Sequence, residues 1–175
     1  MEPKLFYCTV SINNRQRVLA SDKYKNIVIR YLQSLHDRKC VRIYGYVIMP
    51  NHVHLLWEEL RPNGREKPMD CLLRGTAESL RHLLRKEQPI MLERVLHTSG
   101  YPEGAIWETP VKTTGISSER ELVHLLHMMH TNPMRANWQL CRDAGDYPYS
   151  SNGFYTRGKD LFYMVTHYKD WVQQG

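Results

Sequence analysis

The chain has 175 residues, 42% hydrophobic and 24% charged, a length and balance expected of one globular domain with its own core (residues 1–175, the core about 4–155 and a tail 156–175). No run of ~18 apolar residues and no N-terminal apolar segment is present, which argues against a membrane span or an export signal. Twenty-four Lys and Arg against eighteen Asp and Glu give a formal charge of +6, which favours a polyanionic partner through counterion release but serves simple solubility equally well. Cys8, Cys40, Cys71 and Cys141 are scattered without a CxxC pair and read as reduced thiols in a cytoplasmic protein.

"KLFYCTVSI" (Lys4 to Ile12) is rich in aromatic and β-branched residues and predicts a first strand. After the turn "SINNRQ", Ser21 or Asp22 caps a helix to about His36, with Ile27, Ile29, Tyr31, Leu32 and Leu35 on its apolar side. "VRIYGYVIM" and "HVHLLWEEL" predict two strands joined at Pro50-Asn51 as an antiparallel hairpin. A polar loop, Arg61 to Pro68, leads to a second helix over "MDCLLRGTAESLRHLLRKEQ", stopped by Pro89, with Leu72, Leu73, Leu80, Leu83 and Leu84 on one side and Arg74, Arg81, Arg85 and Lys86 largely elsewhere. "TSGYPEGA" reads as a loop and "AIWETPVKT" as a strand broken by Pro110. Ser118, with Glu121 three residues on, opens a third helix through "ELVHLLHMMHTN", and Pro133 either ends it or starts a short new one. The tail is aromatic and turn-rich, with a last helix near "VTHYKDWVQQ".

The order β-α-β-β-α-β followed by a helix predicts an α+β, ferredoxin-like antiparallel sheet with helices on one face and the added helix on the other. The third strand is then central. His52 and His54, two apart, point to one face of it. They form either half of a metal site or two polar residues on a wet face.

"MPNHVHLLW" (Met49 to Trp57), a basic helix, "IWE", "HTNPMRANW" (His130 to Trp138) and "DYPYSS" (Asp146 to Ser151) occur in that order. Together they resemble the REP-associated tyrosine transposases, within the HUH single-tyrosine group named for its His-hydrophobic-His strand. The resemblance covers about residues 4 to 155. It implies a ferredoxin-like fold, usually a homodimer, that cleaves and rejoins single-stranded DNA beside small hairpins through a covalent phosphotyrosine. It also implies a divalent metal, Mg²⁺ or Mn²⁺, held by His52, His54 and Asn132. Three neutral ligands leave coordination positions for phosphate oxygens, which the ion polarises as a Lewis acid.

One position departs from the pattern. Where the resemblance places the tyrosine nucleophile, one helical turn before Asn132, the chain has Met128. A thioether has no ionisable oxygen. No tyrosine lies between Pro102 and Asp146, so a slipped helix register cannot supply one; Tyr101, Tyr147, Tyr149 and Tyr155 stand in loop-like or C-terminal segments. His130 matches the resemblance and is expected near the ligands, while His124 and His127 equally fit an exposed helix face. Arg74, Arg81, Arg85, Lys86, Lys112 and Arg135 are candidates for phosphate contacts or simply solvated positions. Trp107, Tyr147 and Tyr149 are candidates for base stacking or for core. The expected function is therefore a transposase-like protein binding single-stranded or hairpin DNA, its strand-transfer activity in question. A noncatalytic hairpin-binding module is the alternative, and a metallohydrolase ranks behind both.

Overall fold

The computed structural model describes residues 5–97 and 104–173; Lys4, Tyr101 and most of "TSGYPEGA" lie outside that range. Four strands, β1 (Leu5–Ser11), β2 (Val41–Ile48), β3 (His52–Glu59) and β4 (Lys112–Gly115), form one antiparallel sheet in the order β2-β3-β1-β4. β1 and β3 are its central pair, as the ferredoxin-like order requires. The hairpin closes at Pro50-Asn51, where the Met49 N–H donates to the His52 carbonyl at 2.8 Å.

Strand alternation divides the sheet into two faces. His54 lies opposite Thr9 on one side and Val47 on the other, and His52 lies opposite Ser11. Val53, Leu55 and Trp57 point the other way and are buried. On that second face pack α1 (Asp22–Asp37) and α2 (Pro68–Glu87). Trp107 forms an isolated bridge with Ile12 and donates its Nε1–H to Thr76 Oγ1 of α2 at 2.9 Å, which fixes the side. The helix α4 (Glu119–Thr131) covers the histidine face instead. A Cβ on Gly45 of β2 would come within 3.1 Å of Met129 Sδ and 3.6 Å of Leu126 Cγ, so α4 packs tightly on the sheet at this glycine.

Three helix starts follow from local chemistry, whereas Ser21, expected with Asp22 as a cap, stands before α1 without a side-chain capping bond. Ser118 Oγ accepts from the Glu121 N–H at 3.3 Å, and Glu121 Oε2 accepts from the Ser117 N–H rather than that of Ser118, a capping box displaced by one residue. Pro68 begins α2, and Pro89 begins a further helix, α3 (Pro89–Leu96). The proline expected only to stop a helix also starts one, because its fixed φ and missing N–H suit the first helical position. The broken strand expected over "AIWETPVKT" is also displaced: Trp107 makes only the single bridge, and β4 begins at Lys112. Short helices α5 (Asn152–Arg157) and α6 (Tyr168–Val172) follow, the first of them unannounced by any apolar periodicity. No helix among the described residues is long and apolar enough to cross a membrane.

The tail closes the outer edge of β2. The Ile48 N–H donates to Tyr149 O at 2.8 Å, the Ser151 N–H to Tyr46 O at 2.9 Å, and the Thr166 N–H to Ile43 O at 2.8 Å. Covering an exposed strand edge in this way removes a template for pairing with other chains. Ser151 Oγ is the pin: it accepts from the Tyr46 N–H at 3.0 Å and lies 2.7 Å from His130 Nε2 of α4. Ser151→Ala leaves the Tyr46 N–H and the imidazole without that partner in a dry place. Unfolding in urea should show a loss of about 1–3 kcal/mol; an unchanged midpoint would mean the tail holds its place without this hydroxyl.

Candidate metal and nucleic-acid site

β3 presents His52 and His54 side by side on the α4 face, their ring centroids 4.7 Å apart. α4 ends where Pro133 interrupts it, and a 3₁₀ turn, Asn132–Met134, follows. In a 3₁₀ turn residues three apart lie on one side, so Asn132 and Arg135 both reach the strand histidines' cleft. Asn132 Nδ2 donates to His52 Nε2 at 3.1 Å, joining positions 80 residues apart.

The other ring nitrogens are engaged from behind. His52 Nδ1 is 2.7 Å from Asn51 Oδ1, and Asn51 spends its Nδ2–H on the Arg15 carbonyl at 3.1 Å. The amide can only accept from His52 at that oxygen, so Nδ1 carries the proton and the Nε2 lone pair faces the cleft. His54 Nδ1 lies 2.9 Å from Thr9 Oγ1 and 3.0 Å from the Tyr7 hydroxyl, with the Tyr7 ring stacked on it at 5.5 Å. Burial is the main cause that pushes both imidazoles down, His52 to about 4 and His54 to about 3. Arg15 and Arg135 add to it at His52, and His52 and Arg135 at His54. Both are neutral at pH 7, the form that binds a metal.

The cleft above them has a volume of about 290 Å³ and is lined also by Thr9, Ser11, Lys112, Asn137 and Trp138. Among the described residues no three His, Cys, Asp or Glu side chains form a metal-holding group, so a third protein ligand beside the two imidazoles has to be an amide or a hydroxyl. Asn132 meets that need, since turning its terminal amide exchanges Nδ2 for Oδ1. Two neutral imidazoles oriented by hydrogen bonds and one amide oxygen fit a divalent cation with positions to spare.

The sequence candidates separate sharply. His52, His54, Asn132, Lys112 and Arg135 come together in the cleft. Met128 is 38% exposed and does not line it. His130 is buried and bonded to Ser151, not to a candidate ligand; His124 and His127 are exposed. Arg74, Arg81, Arg85 and Lys86 sit on α2, across the sheet. There Arg74 pairs with Glu66 at 2.9 Å and Arg81 donates to the Gly104 carbonyl, while Arg85 and Lys86 are exposed. Trp107, Tyr147 and Tyr149 are only 5–7% exposed, and Tyr147 donates to Ile48 O and Tyr149 to Asn26 Oδ1. Their placement is that of core rings. Sequence reading passed over Tyr7, Arg15, Asn51 and Trp138. Of these, Asn51 carried a signal, its place beside His52 in the turn. Trp138 lies 5.8 Å from the His52 ring, with the Arg17 guanidinium 5.1 Å over its own, and is the aromatic side chain that a base entering the cleft would meet.

Three buried or half-buried imidazoles, His52, His54 and His130, have folded pKa values below their ordinary 6.5, the last pushed down to about 4 chiefly by burial. The unfolded chain therefore binds more protons as pH falls below about 6.5. Their contribution to stability is complete above that value and is lost as pH falls toward 4. Urea unfolding at pH 7 and pH 5 should differ by about 1–2 kcal/mol per histidine, and His130→Gln should reduce the difference. Equal stability at the two values would contradict the neutral assignment.

No family model and no curated protein matches the chain. Among solved structures, a REP-associated tyrosine transposase bound to a REP hairpin matches over 93% of this chain and 85% of its own, with TM-score 0.59 and 18% identity. A candidate transposase from Deinococcus radiodurans r1 matches over 73% of this chain and 90% of its own at 15% identity, with a TM-score of 0.47 that carries no weight by itself. At such identities the likeness is one of architecture: this chain has the α+β fold of the REP-associated tyrosine transposase.

Proposed function

We propose that this chain is a cytoplasmic, dimeric relative of the REP-associated tyrosine transposases that binds single-stranded or hairpin DNA at the β3–α4 cleft without forming the phosphotyrosine bond through α4. The observation that carries this reading is the meeting of His52 Nε2 and Asn132 at 3.1 Å in a cleft ringed by Arg15, Lys112 and Arg135, with a methionine one turn before Asn132. Arg15, Lys112 and Arg135 grip the phosphodiester. His52, His54 and Asn132 are the ligands for Mg²⁺ or Mn²⁺, which supplies Lewis-acid polarisation of the phosphorus when bound. Arg85 and Lys86, on the opposite face, act on DNA only at long range, through a field that salt screens.

Other tyrosines are poorly placed to replace the missing one. The hydroxyls of Tyr147 and Tyr155 donate to the carbonyls of Ile48 and Tyr44 at 2.7 Å, and burial raises the pKa of both. Tyr149 is held by Asn26. Tyr7 reaches the site, but its hydroxyl meets Nδ1 of His54, the side of the ring away from the ligand nitrogen, and burial raises its pKa too. It orients His54.

The test is a denaturing gel of end-labelled single-stranded hairpins incubated with Mn²⁺ and either the natural protein or Met128→Tyr. The natural protein should bind without a protein-linked product, and Met128→Tyr should yield one. An adduct from the natural protein would show that another tyrosine attacks, with Tyr7→Phe the first variant to try. On binding, Arg135→Gln should lower the slope of log affinity against log salt by about one, whereas Arg85→Gln should leave affinity within about twofold.

A further inference from the structure

The cleft holds three neutral donors and three fixed positive charges, and no carboxylate of the described residues lines it. Hard divalent cations are ordinarily bound through carboxylates. Here a dication entering alone exchanges water for neutral ligands and meets like charges from Arg15, Lys112 and Arg135. Nor are those charges offset nearby: none of the three takes part in an ion pair among the described residues. Arg15 is also tied to the ligand set through its backbone. Its φ of 51° is in the left-handed region, and its carbonyl accepts from the same Asn51 amide that orients His52.

We propose that the cleft is an anion site before it is a metal site: a DNA phosphodiester gripped by Arg15, Lys112 and Arg135 supplies the anionic ligand that the chain lacks, so that cation and DNA bind together far more tightly than either binds alone. This presupposes that His52, His54 and Asn132 are the cation's ligands, as proposed above. DNA neutralises the three charges and adds phosphate oxygens, turning a site hostile to a dication into a favourable one. By linkage, the cation must tighten DNA by the same factor. A rim cation then acts with opposite sign on the two ligands. Removing its charge weakens DNA and strengthens the cation, a signature that a merely structural residue would not give.

Mn²⁺ binding, followed by the loss of the free-ion electron paramagnetic resonance signal, is to be measured with and without oligothymidylate, and oligothymidylate binding by fluorescence anisotropy with and without Mn²⁺. The expected result is a gain of about tenfold or more in each affinity when the other ligand is present. Lys112→Gln and Arg135→Gln, both at exposed positions, should weaken oligothymidylate binding and strengthen Mn²⁺ binding in its absence by about tenfold. Mn²⁺ affinity indifferent to DNA, or variants that weaken both ligands or leave Mn²⁺ unmoved, overturns the proposal while the metal site stands. Failure to bind Mn²⁺ with or without DNA, or binding that survives His52→Ala, overturns the ligand assignment itself and the coupling with it.

Discussion

The contact between Asn132 and His52 depends on almost every other feature of the molecule. It requires β3 to be central, so that its histidines lie on the floor of a covered face and not at an edge. α4 comes down on the sheet at Gly45, where Met129 and Leu126 lie close over the strand, and Pro133 follows at the end of α4 beside the residue that makes the bond. α4 is held in turn by His130, which meets Ser151 of the tail at 2.7 Å. The tail's pairing with the β2 edge is thus part of what sets the distance between the two strand histidines and Asn132. Residues outside the site position it, which explains why a buried Ser–His pair resembling a catalytic arrangement is a structural pin: both side chains are buried, and the Ser151 hydroxyl already accepts from the Tyr46 N–H.

The electrostatics of the cleft pull in two directions. Burial and the neighbouring arginines keep His52 and His54 neutral, which favours metal ligation because no proton has to leave. The same arginines repel the metal. Natural hard-cation sites ordinarily resolve such a conflict with carboxylates; this cleft has hydroxyls and amides instead. In the proposed coupling a phosphodiester reconciles the two, since it would satisfy the cations and the dication at once. On the coupling proposed above, the lack of a carboxylate among the described lining residues serves specificity, because a site completed by the charge of DNA is a poor sink for free cations.

The main elements were legible because their signals are local. The alternation of "VRIYGYVIM" and "HVHLLWEEL" with a Pro-Asn turn between them gives the β2–β3 hairpin, and Ser118 with Glu121 gives the start of α4. What escaped has a nonlocal cause. Helical periodicity places Arg74, Arg81 and Arg85 on a face of α2, but cannot say which face of the sheet α2 covers, and they lie opposite the histidines. Trp107, Tyr147 and Tyr149 have the composition of a stacking platform, and only the register of Trp107 against Ile12 and the pairing of the tail with β2 show them turned inward. Tyr7 and Thr9 enter the site because β1 pairs with β3 in one register; a shift of one residue would remove both. Arg15 enters from an irregular turn that no pattern announces.

Met128 stands where the fold makes no demand on the side chain. It is 38% exposed on a helix whose packing rests on Leu122, Leu126 and Met129, all buried. Changing a surface residue of that helix touches neither the capping box at Ser118 nor the His130–Ser151 pin, so Asn132 one turn on keeps its geometry whichever side chain stands there. Methionine is also a good helix former, so nothing in the fold selects against it. In the proposed site, position 128 is therefore the part least bound up with stability, whereas His52 and His54 are joined to the fold through Asn51, Thr9 and Tyr7. If the proposed function holds, grip and bond-making are physically separable: a chain can give up the second and keep the first with little cost in folding.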